Sequence, residues 1–133
     1  MTTFKVGEAA ALLGVSDDTI RRWADAGRLT LSKGENGRLE VHGAELAPLA
    51  QELAAETPLT GAFPHGRASA RNRLTGIVTK VTRDTVMAQV EIQAGPFRVV
   101  SLLSREAADE LQLEPGSLAV ATIKATNVGV ELP

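Results

Sequence analysis

Apolar positions recur along this chain with two different periods, and the change between them divides it. Val6, Ala9, Ala10 and Leu13 are spaced as one face of a helix, and Gly14 follows where a left-handed residue ends a helix without a Cβ clash. A second helix is predicted over residues 17–26. Ser16 is placed to cap it, Asp17 and Asp18 favour the positive end of its dipole, and Gly27 closes it. Ile20, Trp23 and Ala24 face inward on this helix, which leaves Asp18, Thr19, Arg21 and Arg22 facing outward. Two short helices joined by Gly14-Val15-Ser16 have the spacing of a helix-turn-helix, whose second helix enters the major groove.

Residues 28–41 read as a β-hairpin, or wing, with Leu29 and Leu31 on one strand, Leu39 and Val41 on the other, and Gly34-Glu35-Asn36-Gly37 at the tip. A third helix over 43–56 carries the stripe Leu46, Leu49, Ala50 and Leu53, with Pro48 tolerable near its first turn. Residues 57–66 hold two prolines and two glycines without a period, and read as an interdomain linker in which His65 is a loop residue.

From Leu74 onward the period is two. Ile77-Val78-Thr79-Lys80-Val81 is rich in β-branched residues, and Val86, Ala88, Val90 and Ile92 alternate with Met87, Gln89, Glu91 and Gln93. Residues 97–103, 118–124 and 128–132 complete five predicted strands, with one short helix over 104–111 capped by Ser104. The fold class is therefore α+β in two domains: a winged helix-turn-helix over 1–56 and, after the linker, a five-stranded OB-like β-barrel with one short helix over 67–133. A barrel this small is marginal alone, so pairing with another copy is expected.

Composition narrows the function. The chain has 133 residues and no cysteine, which removes disulfides, thiolate metal sites and a cysteine nucleophile. With only two histidines, no transition-metal site is expected. No apolar run reaches the ~20 residues of a membrane span, and no basic leader precedes an apolar core, so a cytoplasmic protein is expected, with no membrane partner. Three Phe, one Trp and no Tyr offer few rings for stacking bases, which favours duplex DNA over single strands or RNA. Residues 1–56 carry six basic and nine acidic side chains, a net charge of −3, whereas residues 57–133 carry eight and seven, a net of +1. Bulk charge does not advertise DNA binding, and the case rests on where the basic residues fall.

Arginine on the outer face of the second helix can grip phosphate or fork onto a guanine edge, and Lys33 and Arg38 flank the hairpin tip within reach of a backbone. The candidate DNA contacts are Ser16, Asp18, Thr19, Arg21, Arg22, Arg28, Lys33 and Arg38. Phe4-Lys5-Val6-Gly7-Glu8-Ala9-Ala10-Ala11-Leu12-Leu13-Gly14-Val15-Ser16, Thr19-Ile20-Arg21-Arg22-Trp23 and Ala26-Gly27-Arg28-Leu29 resemble the MerR and excisionase type of winged helix-turn-helix. That resemblance implies DNA contact by the second helix and the wing, and binding as a dimer. The long dimerisation helix of full MerR proteins is absent from this sequence, so dimerisation must come from elsewhere. Trp23 is assigned to packing, and Arg21 and Arg22 have a plainer alternative as surface charges paired with nearby aspartates.

A second set of residues suits an oxyanion. Ser69-Ala70-Arg71-Asn72 offers hydroxyl, amide, backbone N–H and guanidinium donors. Ser101 and Ser104 add hydroxyls near a helix N-terminus, and Lys124 adds an ammonium followed by the N–H groups of Ala125 and Thr126. Neutral donors with a few fixed positive charges fit a tetrahedral dianion. Ser69-Ala70-Arg71-Asn72-Arg73-Leu74-Thr75-Gly76-Ile77-Val78, Val86-Met87-Ala88-Gln89-Val90, Leu111-Gln112-Leu113-Glu114-Pro115-Gly116 and Ile123-Lys124-Ala125-Thr126-Asn127-Val128 resemble the molbindin, or Mop/TOBE, fold over residues 68–132. The resemblance implies molybdate or tungstate bound between copies of the domain, by Ser69, Ala70, Arg71 and Asn72 of one copy and Ser101, Ser104, Lys124, Ala125 and Thr126 of a neighbour. Where that family usually carries Ile-Thr-x-x-Ser, this chain has Val100-Ser101-Leu102-Leu103-Ser104, which keeps the hydroxyl and loses a methyl. Each residue also has a plainer role: Ser104 as a cap, Ser69 and Asn72 in a turn, Lys124 as a solvated charge.

Together these readings lead to an expectation of a molybdate- or tungstate-responsive transcription regulator, a homo-oligomer (dimer or hexamer) that binds double-stranded DNA and controls genes for molybdate uptake or molybdenum-cofactor use. The alternative is a storage or buffering protein whose N-terminal domain serves assembly. No Ser-His-Asp set or phosphate-binding glycine loop is visible, and an enzyme is not expected.

Overall fold

A computed structural model describes residues 2–64 and 66–133, so His65, read above as a loop residue, lies outside the described residues. The chain divides into two compact units, Met1–Ala62 and Phe63–Pro133.

In the first unit, strand β1 (Thr3–Lys5) leads into helix α1 (Val6–Leu13), and helix α2 (Asp17–Asp25) follows after a short turn. Gly14 ends α1 at φ 68° and Gly27 follows α2 at φ 80°, the left-handed region that a Cβ disfavours. The Gly27 N–H donates to Ala24 O and the Arg28 N–H to Trp23 O, satisfying the last carbonyls of α2. Strands β2 (Ser32–Lys33) and β3 (Leu39–His42) form an antiparallel hairpin with Lys33 opposite Leu39, and β1 adds a third strand in the order β1-β3-β2. The paired hairpin is shorter than predicted: pairing starts at Ser32, and the Thr30 N–H donates to the Glu45 carboxylate instead of across a ladder. Helix α3 (Gly43–Glu56) inserts Leu46 and Leu49 into the same core, which also holds Val6, Ala9, Ala10, Ile20, Leu29 and Val41. Trp23 packs against its margin, while Ala50, in the predicted stripe, is exposed.

The expectation of an irregular linker over 57–66 is corrected in part. Helix α4 (Pro58–Ala62) occupies its first half. Thr57 is extended at φ −65°, ψ 134°, as a residue before proline prefers, and proline at a first helical position gives up only an N–H that has no helical partner.

The second unit is an antiparallel sheet built on one long strand. Strand β4 (Asn72–Arg83) pairs β7 (Leu118–Ile123) along its first half and β5 (Met87–Ala94) along its second, and β6 (Phe97–Ser104) completes the order β6-β5-β4-β7. Two irregularities mark the middle of β4. Its register with β5 shifts between Val78 and Lys80, and a Cβ built on Gly76 would lie 2.3 Å from Gln93 O, so close backbone approach requires glycine there. Helix α5 (Arg105–Glu110) is capped by Ser104, whose Oγ accepts from the Ala107 N–H at 3.1 Å. The buried core is small: Val78, Val90 and Ile92, with Val81, Val99, Leu103, Leu113, Ala119 and Ala121 packed around them.

The sheet has four strands, not the predicted five. After β7 the chain makes a 3-10 turn, Ala125–Asn127, and residues 128–132 run on without a strand partner among the described residues. Alternation alone does not make a strand, whose N–H and C=O groups must pair across a ladder. Val130 and Leu132 are 93% and 91% exposed.

Candidate functional site

The β4–β7 ladder brings two of the predicted oxyanion segments together. Asn72 is paired with Ile123, so Ser69-Ala70-Arg71 enters β4 beside the point where Lys124-Ala125-Thr126 leaves β7. Asn72 Nδ2 donates to Ile123 O at 3.1 Å, tying the two segments. Ala70 is buried and anchors the incoming loop, whereas Ser69 and Arg71 are exposed. Arg71 Nη1 donates to Ala68 O at 2.9 Å, which folds the guanidinium back over its own loop. Lys124, Ala125 and Thr126 are exposed, and the 3-10 turn uses the N–H groups of Asn127 and Val128, leaving those of Ala125 and Thr126 free of any bond within the turn.

Ser101 and Ser104 lie on β6, opposite Val90 and Met87 of β5, and are not joined to that group by any hydrogen bond among the described residues. Ser101 lines an open apolar cleft of about 460 Å³, whose other wall is β7 up to Thr122 and Ile123. Ser104 borders a second cavity with Arg105, Glu106 and Asp109. Its oxygen already caps α5 while its proton remains available to donate outward. One copy therefore gathers Ser69–Asn72 with Lys124–Thr126 on one edge and holds the two serines on another strand.

In the first unit, Ser16, Asp18, Thr19, Arg21 and Arg22 share α2 or its cap. Ser16 Oγ accepts from the Thr19 N–H at 3.2 Å and lies 3.0 Å from Thr19 Oγ1, which accepts from Arg22 Nη2 at 3.1 Å. Arg21 lies 4.0 Å from Asp18. Lys33 and Arg38 are exposed on the two sides of the hairpin tip, where the Gly34 N–H donates to Arg38 O and Gly37 turns the chain at φ 77°. Arg28 is engaged within its own unit: Nη2 lies 2.9 Å from Glu52 Oε2, and the guanidinium sits 5.1 Å from the centroid of Trp23. Sequence reading gave no role to Glu52, or to Glu45, whose carboxylate accepts from the Thr30 N–H at 3.1 Å. Separations of 24 and 15 residues carry no local signal.

Among the described residues, no helix is long and apolar enough to cross a membrane, and no group of three or more His, Cys, Asp or Glu is placed to hold a metal ion.

Comparison with known proteins agrees with the division. Residues 68–130 match the family model of the TOBE domain, and residues 5–38 match that of the MerR family regulatory protein. A probable molybdenum-pterin-binding protein of Haemophilus influenzae is 47% identical over 66 residues, covering 47% of this chain and 96% of that protein. The chain belongs to the TOBE-domain family of molybdenum-pterin-binding proteins. A second member, the molybdenum-pterin-binding protein MopA of Rhodobacter capsulatus, is 38% identical over 69 residues, 51% of this chain and 26% of that protein. This chain thus spans about a quarter of MopA and nearly all of the Haemophilus protein. A solved molybdate-binding protein from Sporomusa ovata is 28% identical, with 50% of this chain and 100% of that one covered at a TM-score of 0.49. Here the family's module is joined to a MerR-like N-terminal region. The matched families are those of binding and regulatory proteins.

Proposed function

We propose that the chain is a cytoplasmic transcription regulator that binds duplex DNA through residues 1–56 in response to molybdate or tungstate held between copies of residues 67–133. Its targets are genes for molybdate uptake or molybdenum-cofactor use, and it performs no catalysis. The observation that carries this reading is the fusion itself, a MerR-like region and a molybdenum-pterin-binding module in one chain. A sensor needs both parts, whereas a store needs only the second.

The donor set fits a tetrahedral dianion. Arg71 and Lys124 supply charge, Ser69, Thr126, Ser101 and Ser104 supply hydroxyls, and Ala125 supplies a backbone N–H, so every group can donate. Asn72 holds the two segments in register. As the resemblance to the molbindin fold implies, the complete site is shared, with one copy offering Ser69–Asn72 and Lys124–Thr126 and another offering Ser101 and Ser104. Exposed apolar surface supports assembly: Phe97, Leu102 and Leu118 are 63%, 69% and 56% exposed, and β6 and β7 are both open edges.

The α1–α2 pair with its Gly14-Val15-Ser16 turn supports the helix-turn-helix reading, and the β2–β3 hairpin supports the wing. Oxyanion binding acts on DNA affinity only insofar as it favours one arrangement of the copies over another.

The test is calorimetric titration of the full chain with molybdate, tungstate and sulfate, followed by selection of binding sites from random duplex DNA with and without molybdate. Heat from the first two anions and not from sulfate, with a selected sequence whose affinity changes on adding molybdate, is expected. Oxyanion binding with no duplex selected would replace the regulator by a storage protein, and no heat from any anion would remove the sensor.

A further inference from the structure

Two arginines stand side by side on the outer face of α2, and the structure treats them differently. Ser16, Thr19 and Arg22 are spaced by three residues, so they form one stripe along the helix. A guanidinium only donates, so Thr19 Oγ1 accepts from Arg22 at 3.1 Å. The Thr19 hydroxyl proton is then free to point at Ser16 Oγ, 3.0 Å away, which also accepts from the Thr19 N–H at 3.2 Å. The chain of bonds runs in one direction, from Arg22 through Thr19 to Ser16.

This draws the Arg22 guanidinium back by one turn toward the N-terminal end of α2, the end that a recognition helix presents to base edges. One of its five N–H groups is spent on Thr19, and enough remain for a two-pronged contact. The rotamer ordering that a long side chain must undergo on binding is thereby partly completed beforehand. Arg21 has no such support. It lies 4.0 Å from a largely exposed Asp18 and remains free to follow a phosphate.

Resting on the DNA-binding reading above, we propose that Arg22, held by Thr19, reads the O6 and N7 acceptors of a guanine in the major groove, while Arg21 contacts phosphate. Thr19 is a positioning residue. Sequence discrimination runs through the Thr19–Arg22 pair, and general affinity runs through Arg21.

The experiment uses the full chain, the duplex that the wild-type chain selects, and copies of that duplex in which each guanine in turn is replaced by 7-deazaguanine. This base keeps Watson–Crick pairing and loses the N7 acceptor. Wild type is expected to lose about tenfold in affinity at one guanine. Thr19→Val and Arg22→Lys are expected to bring that ratio close to one while leaving the salt dependence of binding unchanged, and Thr19→Ser to restore it. Arg21→Ala is expected to weaken binding to every sequence, keep the ratio, and reduce the salt slope by about one. Thermal unfolding of each variant separates loss of contact from loss of fold. Discrimination kept in Thr19→Val, or lost in Arg21→Ala and kept in Arg22→Lys, would overturn the assignment. Failure of the wild-type chain to select any duplex would instead bring down the DNA-binding reading and this inference with it.

Discussion

Arg28 Nη2 and Glu52 Oε2 lie 2.9 Å apart although 24 residues separate them, and this pair fastens the start of the hairpin segment to α3. Both side chains are about half exposed, so the ion pair by itself contributes little, on the order of 0.5 kcal/mol. The Trp23 face below Arg28 adds a cation–π contribution of similar size. Arg28→Ala is expected to lower the stability of the full chain by about 1 kcal/mol in urea unfolding. Glu52→Ala should cost less, and the double variant little more than Arg28→Ala alone. Additive losses in that cycle would show that the two side chains do not act on each other.

Gly76 lies against the backbone of Gln93 and Ala94 in β5. A methyl group there meets Gln93 O at 2.3 Å and the Ala94 Cα at 2.9 Å, both backbone atoms that cannot swing away. Gly76→Ala is expected to destabilise the second unit by about 2 kcal/mol, read as a lower urea midpoint. Oxyanion affinity measured at the same temperature should fall with it, because Gly76, opposite Ala119, belongs to the same β4–β7 ladder that aligns Asn72 with Ile123.

Lys124 is exposed and stands at the head of the 3-10 turn. Under the proposed function, Lys124→Ala is expected to weaken molybdate binding about 10- to 100-fold, the range of one lost charge-assisted hydrogen bond, with the unfolding midpoint unmoved. Arg71→Ala should act in the same direction. Unchanged calorimetric affinity in both variants would remove these residues from the site.

Asp84 accepts hydrogen bonds from the N–H groups of Met87 at 2.7 Å and Val86 at 2.8 Å, and these, with the nearby Arg105 charge, hold its carboxyl below the usual aspartate value of 3.8. The folded state therefore prefers the ionised form more than the unfolded chain does. Its stabilisation is present above the unfolded value and is lost as pH falls through the lowered folded value. Asp84→Asn is expected to reduce stability at neutral pH and to converge with wild type in strong acid, which paired pH–unfolding curves would show. A carboxyl titrating at or above the usual value by NMR would contradict the hydrogen-bonded turn.

The parts of the fold that were legible in the sequence are those written in local signals. Gly14 and Gly27 mark left-handed helix ends because no other residue takes those angles cheaply, and Ser16 and Ser104 read as caps because each stands next to an apolar or helical run. The strand at Thr3–Lys5 was not legible, since three residues carry too little period and its partner lies near His42. The helix Pro58–Ala62 was hidden in a stretch whose prolines and glycine read as breakers. The alternation at residues 128–132 is real, but a period of two records only which faces would be apolar in a ladder, and nothing in it says where the partner strand is. The oxyanion residues were legible singly. That Ser69–Asn72 and Lys124–Thr126 share an edge follows from the pairing of Asn72 with Ile123, about 50 residues apart, a property of register that no local pattern encodes.

The long strand β4 has a mechanical side. Both ladders of the second unit are built on it, β7 along Asn72–Ile77 and β5 along Ile77–Arg83, and among the described residues no other strand pairing joins β7 to β5 or β6. The side chains of β5, β6 and β7 close over β4 in a single core around Val78, Val90 and Ile92, so the edge bearing Arg71 and Lys124 is tied to the strand bearing Ser101 and Ser104 through packing as well as through the backbone of β4.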